Sequence, residues 1–265
     1  MNGSSFSILR AVRNAYAFVG REWKYLLRLS LLPMGVSGAS QLFLFYQSID
    51  VAAGGRIITT FESYAWNLPA TLLLGWFMFH ETRLLLLGER GEALPANAEY
   101  LALRRVSMKI SILIWALFNM GWSGLLGYHE WMAGVQLQDQ SFWPVGLGAV
   151  LVGAFFWSLR FSVAHILAAV DYPVRQYVRQ VDGLGISLRL AGMWLLASIP
   201  VLMGFILLAE ILVPDVKSIN DPSLGVVVAL GGPLSLLVAA ILNAAGGFAL
   251  REMLQNNSTP AGQAP

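Results

Sequence analysis

The stretch LPATLLLGWFMFHETRLLLLGER, residues 68–90, decides the fold of this chain. Its first half is apolar enough for lipid, and it then carries His80, Glu81 and Arg83 before four leucines in a row. An ionisable group inside an apolar membrane segment costs about 2.5–3.5 kcal/mol on insertion scales, so such groups usually have partners. The stretch therefore predicts a membrane-spanning helix over residues 68–88 with polar groups near one end.

The composition of the whole chain is typical of a membrane protein. Of its 265 residues, 57% are hydrophobic and 12% are charged, and the mean hydropathy is +0.63. Soluble domains average about 25% charged residues. The chain has no cysteine, which excludes disulfides, thiolate metal sites and covalent haem attachment.

Apolar segments of membrane-spanning length recur along the chain. A helix of about 20 apolar residues crosses the hydrocarbon core of a bilayer. Six segments meet this length, at about 25–47, 68–88, 110–132, 143–166, 187–212 and 224–250. They predict an all-α polytopic membrane protein with a single six-span domain over residues 1–250. The polar residues 251–265 are expected to form a disordered cytoplasmic tail.

Three segments between the spans predict amphipathic helices, at 6–24, 89–109 and 171–185. In the first, apolar residues recur at steps of three and four: Leu9, Val12, Tyr16, Val19 and Trp23. The third has the same spacing and is expected to end at two glycines; its stripe is Val170, Val174, Tyr177, Val181, Leu184 and Leu188. A basic amphipathic helix suits the headgroup interface, and packing against protein is the alternative for the first segment.

The distribution of basic residues predicts the orientation. Of the 17 Lys and Arg residues, 15 lie in the segment up to Arg28, between Arg83 and Lys109, between Arg160 and Arg189, and at Arg251. The opposite loops hold only Arg56 and Lys217. Cytoplasmic loops carry the excess of Lys and Arg in membrane proteins, so both termini are predicted to be cytoplasmic, with anionic headgroups as partners of the basic helices.

The candidate site is an intramembrane polar cluster. Glu81 lies 13 residues from the outer end of the second span, and Arg160 lies 17 residues into the fourth, which is about 20 and 26 Å at 1.5 Å per residue. A Glu81–Arg160 ion pair is therefore possible, and the full candidate set is His80, Glu81, Arg83, Arg160 and His165. In the alternative, Arg83, Arg160 and His165 extend to the headgroups and Glu81 pairs locally. Two mid-span amides complete the polar inventory, Asn119 and Asn243.

Catalytic motifs are missing from the sequence. The HETRL run at residues 80–84 lacks the second histidine of the zinc-protease H-E-x-x-H motif. No phosphate-binding G-x-x-x-x-G-K-[ST], no nucleophile G-x-S-x-G and no dinucleotide-binding glycine motif occurs. The histidines His80, His129 and His165 are scattered in depth. The sequence therefore predicts a non-enzymatic protein with no catalytic residues, no metal and no cofactor.

Two short stretches resemble a known group of proteins. Residues 80–90, followed by Leu103, Arg104 and Arg105, and residues 160–162 with 168–171 resemble the exits of spans two and four in six-span proteins of the YciC-like and glycerophosphodiester-phosphodiesterase membrane-domain families. The resemblance implies a bacterial inner-membrane accessory, scaffold or lipid-interacting envelope protein. A small transporter with a polar site between spans two and four is the alternative. A membrane-protein partner or a homo-oligomer fits either function, and nucleic acid fits neither.

Overall fold

The computed structural model describes residues 6–52, 60–91, 97–139, 146, 148–150, 152–153, 159–175, 177, 183–213 and 224–258. Within them, every regular element is a helix, as the composition predicts. The bounds are α1 (Ile8–Ala52), α2 (Thr60–Leu87), α3 (Ala98–Asp139), a 3-10 turn (Leu159–Val163) that leads into α4 (Ala164–Ala169), α5 (Gly183–Leu212) and α6 (Gly225–Ser258).

Four of the helices described are long and apolar enough to cross a membrane. Their spanning parts are Ile8–Gln47, Glu62–Leu87, Gly185–Leu212 and Gly225–Gln255. These spanning parts contain all of the predicted fifth span, 187–212, and all or almost all of the predicted first, second and sixth spans. The third predicted span, 110–132, lies in α3 as continuous helix. Most of the fourth, 143–166, lies outside the described residues, apart from short helical pieces and its last turns in the 3-10 turn and α4.

The helices extend further than the apolar segments. α1 and α2 take up parts of residues 48–67, which lie between the first two predicted spans. α3 continues beyond the end of the third predicted span, at residue 132, to Asp139, and α6 runs to Ser258 through the expected disordered tail. Residues 259–265 are outside the part described. Apolarity decides where a helix can lie in lipid, whereas Ala, Leu, Glu, Arg and Met favour helix on either side of that boundary. The tail prediction is therefore wrong for residues 251–258.

The first amphipathic segment is not a separate helix, because α1 is continuous for 45 residues. Val12 of the predicted stripe is buried, but Leu9 and Trp23 are 73% and 53% exposed, and the rest of the buried face contains Ala11, Ala15 and Phe18. The Tyr16 hydroxyl donates a 2.7 Å hydrogen bond to the Ala197 carbonyl of α5. The start of α1 thus packs against protein, with the stripe rotated from its predicted position.

The other two amphipathic segments are only partly described. In the third, Tyr177 is buried as predicted, but Leu188 is 54% exposed. α5 begins at Gly183 and includes Gly185, and residues 178–182, just before the expected glycine break, lie outside the part described. Of the second segment, residues 98–109 are the first three turns of α3. Gly and Pro are absent from that part, and a good helix-forming sequence simply continues into the apolar span.

Helix α6 lies at the centre, packed against α1, α2, α4 and α5. Its contact with α1 is close because both helices carry glycine there: a Cβ on Gly232 would lie 2.6 Å from the Gly38 nitrogen and 3.0 Å from the Met34 carbonyl oxygen. Small residues at a crossing let two helix backbones approach in a membrane. This crossing brings the inner face of α6 against the polar end of α2.

Candidate functional site

Arg83 is the centre of a polar cluster at the end of α2, although it is only 2% exposed. Its Nε and Nη2 atoms donate to the Glu89 carboxylate at 2.7 and 2.9 Å, and Nη2 also donates to the Tyr100 hydroxyl at 3.0 Å. Its Nη1 donates to the Ala169 carbonyl at 2.6 Å and to Asp171 Oδ2 at 3.2 Å. These are five bonds for the five N–H groups of a guanidinium, so Arg83 joins α2, α3 and α4.

Two helix ends position this cluster. Gly88 ends α2 with φ +69° and donates its N–H to the Leu84 carbonyl, which is an αL cap. Asp171 ends α4 with φ +60°, while Tyr172 donates to the Leu167 carbonyl in a Schellman pattern. Glycine is the usual residue at this position, because a side chain is disfavoured in the αL region. Asp171 stands at this position with a structural role, because its carboxylate accepts hydrogen bonds from Arg83 and from the Ser107 hydroxyl.

The carboxyl of Glu89 lies outside the spanning helices and is ionised by its neighbours. Burial alone would raise its pKa, but the hydrogen bonds from Arg83 and Tyr100 and the charges of Arg83 and Arg104 outweigh burial and hold the pKa of Glu89 below 4.5. Burial and the adjacent Glu89 carboxylate raise the pKa of the Tyr100 hydroxyl, which donates to Glu89. The Arg83 cluster therefore contains an ionised Arg83–Glu89 pair at neutral pH.

A second polar cluster lies deeper in the bundle and is built around Asn243 of α6. The Asn243 Nδ2 donates to Glu81 Oε2 at 2.9 Å and to the Met78 carbonyl at 3.2 Å. Its Oδ1 lies 3.1 Å from His165 Nε2 and accepts from the Thr82 hydroxyl at 3.3 Å. The Met78 carbonyl can only accept, which fixes the orientation of the amide. Asn243 thus links α2, α4 and α6.

The sequence places Glu81, His165 and Asn243 in its candidate set, and the structure brings these three together. The hydrogen-bond partner of Glu81 is Asn243, however, and not Arg160 as the matched depth allows. Glu81 and His165 are 0% and 4% exposed. The alternative of side chains that extend to the headgroups is therefore wrong for His165, and also for Arg83.

The remaining candidates lie elsewhere. His80 Nδ1 is 3.2 Å from Arg104 Nη2 of α3, and its ring contacts Trp76 and Phe79 edge-on. Arg160 is half-buried in the 3-10 turn, where its carbonyl accepts from the Tyr177 hydroxyl. The amide of Asn119 donates to the Trp115 carbonyl one turn earlier in α3, at 2.9 Å. The side chain of His129 lies outside the part described.

A cavity of about 510 Å³ opens beside the Asn243 cluster and is lined by residues of all six α-helices. Volumes of this size hold small ligands in other proteins. Its walls are mostly apolar, and the polar lining residues are Gln41, Ser162, His165, Ser235 and Asn243. Two lining groups, Ser162 Oγ and Trp115 Nε1, are buried and have no hydrogen-bond partner within the described structure.

Sequence reasoning missed the residues that complete these sites. Glu89, Asp171 and Tyr100 lie outside the spans and read as ordinary interface residues. The cavity has no sequence signal, because its walls are mostly apolar side chains from six helices. One signal was usable: Asn243 lies 19 residues into an outside-to-inside span, which places it in the inner half of the span, as it does Glu81.

Comparisons with known proteins add no identity to this geometry. The chain matches no family model, no curated protein and no solved structure. The resemblance to YciC-like proteins therefore stays a prediction. Among the residues that the structure describes, no group of three or more His, Asp or Glu side chains could hold a metal ion. The site must be interpreted from its own contacts.

Proposed function

We propose that this chain is a non-enzymatic, six-span inner-membrane protein of bacteria that holds a lipid-like molecule in its central cavity, and acts as an accessory or lipid-interacting envelope factor. The observation that carries the proposal is the cavity of about 510 Å³. Four of the helices around it are long and apolar enough to cross a membrane, and its walls are mostly apolar with a few polar groups. Such a surface suits the hydrocarbon part of an amphipathic ligand.

The proposed topology is supported by contacts at one end of the bundle. The Ser7 N–H donates to Glu252 Oε2 at 3.2 Å, and Arg10 lies 3.6 Å from the same carboxylate. Arg90 pairs with Glu22 at 3.0 Å. The start of α1, the end of α2 and the end of α6 therefore share one side, as six spans with both termini in the cytoplasm require. Exposed arginines there suit anionic headgroups.

Lipid analysis of the purified protein tests the ligand. We expect one lipid class to co-purify at close to one molecule per chain after extensive washing in detergent. Mass spectrometry of the extract, compared with the lipids of the source membrane, measures the enrichment. The proposal is wrong if the lipid composition of the extract matches that of the bulk membrane. It is also wrong if Val238→Phe, which fills part of the cavity, leaves the amount of bound lipid unchanged.

Site-directed labelling tests the topology. The chain has no cysteine, so a single introduced cysteine gives no background. We expect an impermeant maleimide to label Arg56→Cys and Lys217→Cys in cells with a permeable outer membrane. Arg90→Cys and Arg251→Cys should react only after the inner membrane is opened. Labelling of position 90 or 251 in intact inner membrane contradicts the proposed orientation.

Transport is the second candidate, favoured by the Glu81–Asn243–His165 cluster next to the cavity. Ionisable side chains inside membrane bundles mark ion and substrate pathways in many transporters. Reconstituted proteoliposomes distinguish the two: a transporter moves its solute across the bilayer alone, whereas an accessory protein does not. Affinity purification from native membranes adds a second test, because an accessory subunit should retain a stoichiometric protein partner.

A further inference from the structure

Two hydrogen-bond donors in the cavity wall lack acceptors. Ser162 is 2% exposed, and its hydroxyl has no partner within the described structure; the same is true of the indole N–H of Trp115. A buried donor without a partner costs about 1–3 kcal/mol, and an indole N–H can only donate. In a membrane-embedded bundle, lipid tails cannot supply the missing acceptor.

Both donors lie beside the same histidine. The Ser162 carbonyl accepts from His165 Nδ1 at 2.6 Å, and the Trp115 ring lies 5.4 Å from the His165 ring between centroids. Ser162 and Trp115 both line the cavity, as does Asn243. A neutral His165 has one N–H, which the Ser162 carbonyl accepts, and its Nε2 lies 3.1 Å from Asn243 Oδ1. This part of the cavity wall thus offers an incoming group two unpaired donors, the Ser162 hydroxyl and the Trp115 indole N–H.

The charge of the cavity wall restricts the ligand further. Its described lining contains no Lys, Arg, Asp or Glu side chain. A charged headgroup placed there would have no counter-ion, and burial of an unpaired charge is strongly unfavourable.

We propose that the cavity selects a neutral amphipathic molecule whose carbonyl oxygen accepts hydrogen bonds from the Ser162 hydroxyl and the Trp115 indole N–H. This inference rests on the proposed ligand-holding function and gives the chemical class of the ligand. A carbonyl oxygen has two lone pairs and can accept from both donors at once. The hydrocarbon body of the molecule then lies along Leu74, Phe118 and Leu242.

A set of matched probes tests the headgroup. The protein is placed in lipid nanodiscs, and retention of radiolabelled methyl decanoate, dodecane and decanoate is measured against empty nanodiscs, which correct for partition into lipid. The ester and the hydrocarbon have equal chain length and differ in the carbonyl acceptor. We expect the ester to bind at least tenfold more tightly than dodecane, and decanoate to bind more weakly than the ester.

Two variants remove the donors: Ser162→Ala keeps nearly the same side-chain size, whereas Trp115→Phe also shortens the ring system and needs a matched Trp control. Ser162→Ala and Trp115→Phe should each lower the ester affinity by about three- to tenfold, which is the effect of one hydrogen bond. Dodecane affinity should stay similar and shows that each variant is folded. Ser235→Ala and Trp194→Phe are matched controls in the same cavity; the Ser235 hydroxyl already donates to the Gly232 carbonyl. These controls should change ester and dodecane binding equally.

The outcomes separate the two proposals. If neither the ester nor dodecane binds above the empty nanodiscs, the ligand-holding function itself is wrong. If both bind with equal affinity, or if Ser162→Ala and Trp115→Phe leave the ester preference intact, only the carbonyl headgroup is overturned. Tighter binding of decanoate than of the ester overturns the neutral charge of the ligand.

Discussion

The Arg83 guanidinium connects α2 to three other parts of the chain. Its partners lie in the segment after α2, in α3 and at the end of α4. The ring of Phe79 adds a cation–π contact at 5.6 Å. A buried arginine with every donor bound is a fixed structural element, because no other side chain presents five N–H groups in one plane.

Substitution of Arg83 should therefore destabilise the protein strongly. We expect Arg83→Gln to lower the free energy of unfolding by roughly 3 kcal/mol, at the low end for a broken buried pair because Glu89 and Asp171 keep some contact with solvent. Arg83→Lys should lower the free energy of unfolding by a smaller amount, since the positive charge remains. Unfolding in mixed detergent micelles measures both. Arg90→Gln is the control: its exposed pair with Glu22 should contribute less than about 1 kcal/mol.

The ion pair of Glu89 should make the stability of the protein depend on pH in the acidic range. Its pKa is depressed in the folded protein, so its contribution is complete above the unfolded value of 4.5 and is lost as the pH falls below it. Wild-type protein should be more stable than Glu89→Gln at neutral pH, and the gap should narrow below pH 4.5. Thermal unfolding at several pH values measures the gap. A gap that stays constant down to low pH contradicts the depressed pKa.

The Glu81–Asn243 contact should appear as energetic coupling. In a double-mutant cycle with Glu81→Met and Asn243→Leu, we expect a coupling of about 1–3 kcal/mol, because each single change leaves a buried polar partner behind. A parallel cycle with Glu81→Met and Arg160→Gln should give a smaller coupling. Unfolding free energies of the variants measure both. Equal or larger coupling with Arg160 would restore the ion pair that the sequence suggests.

At this scale the sequence identified buried polar residues better than it paired them. Glu81 and Arg83 are two positions apart, so a helix turns them about 200° from each other. One faces Asn243 and the other faces Glu89 and Asp171. Depth along a span can be counted from the sequence, whereas rotation about the helix axis depends on how the neighbouring helices pack.

Among the elements, the crossing of α1 and α6 depends on two glycines. A Cβ on Gly232 would collide with the backbone of α1 at Gly38 and Met34, and neither is a flexible side-chain end. We expect Gly232→Ala to lower the free energy of unfolding by about 1–3 kcal/mol, as overpacking does. Gly204→Ala is the matched control on α5, where a Cβ meets nothing within 4 Å. That change should be neutral or slightly stabilising, and thermal unfolding compares the two.

Helix positions could be predicted from the sequence, whereas helix ends could be predicted only in some cases. The apolar segments of α2 and α5 end within a residue of their observed limits at Leu87 and Leu212. A glycine follows α2 directly, and a proline follows shortly after α5 in the sequence. In α1 and α3, polar residues such as Glu22 and Arg104 continue the helix beyond the apolar part, because helix formation needs no apolar side chain.

For the whole molecule, the central cavity predicts how a larger side chain behaves. Val238 lines the cavity, so Val238→Phe should occupy part of the void and stabilise the ligand-free protein by about 1 kcal/mol. For a chain of this size that is a rise in Tm of about 2–4 °C. Val226→Phe, at a position 59% exposed on the same helix, should leave Tm unchanged. A fall in Tm for Val238→Phe means that the space is not available.

The all-helical membrane class follows from composition alone, but the cavity does not. Its walls combine residues as distant in sequence as Leu74 and Leu242, and each is an ordinary apolar residue of its own span. The position of a cavity depends on which helices are neighbours and at what angle they cross. Periodicity and charge describe each helix separately, so the site emerges only once the helices are assembled.

The Glu81–Asn243 hydrogen bond has a consequence for biosynthesis. Its two residues are 162 positions apart, so the ribosome completes α2 long before it makes α6. During that interval Glu81 enters the membrane without its partner, and a carboxyl in hydrocarbon is unfavourable. We therefore expect a chain truncated before Asn243 to insert into the membrane less stably than the complete chain.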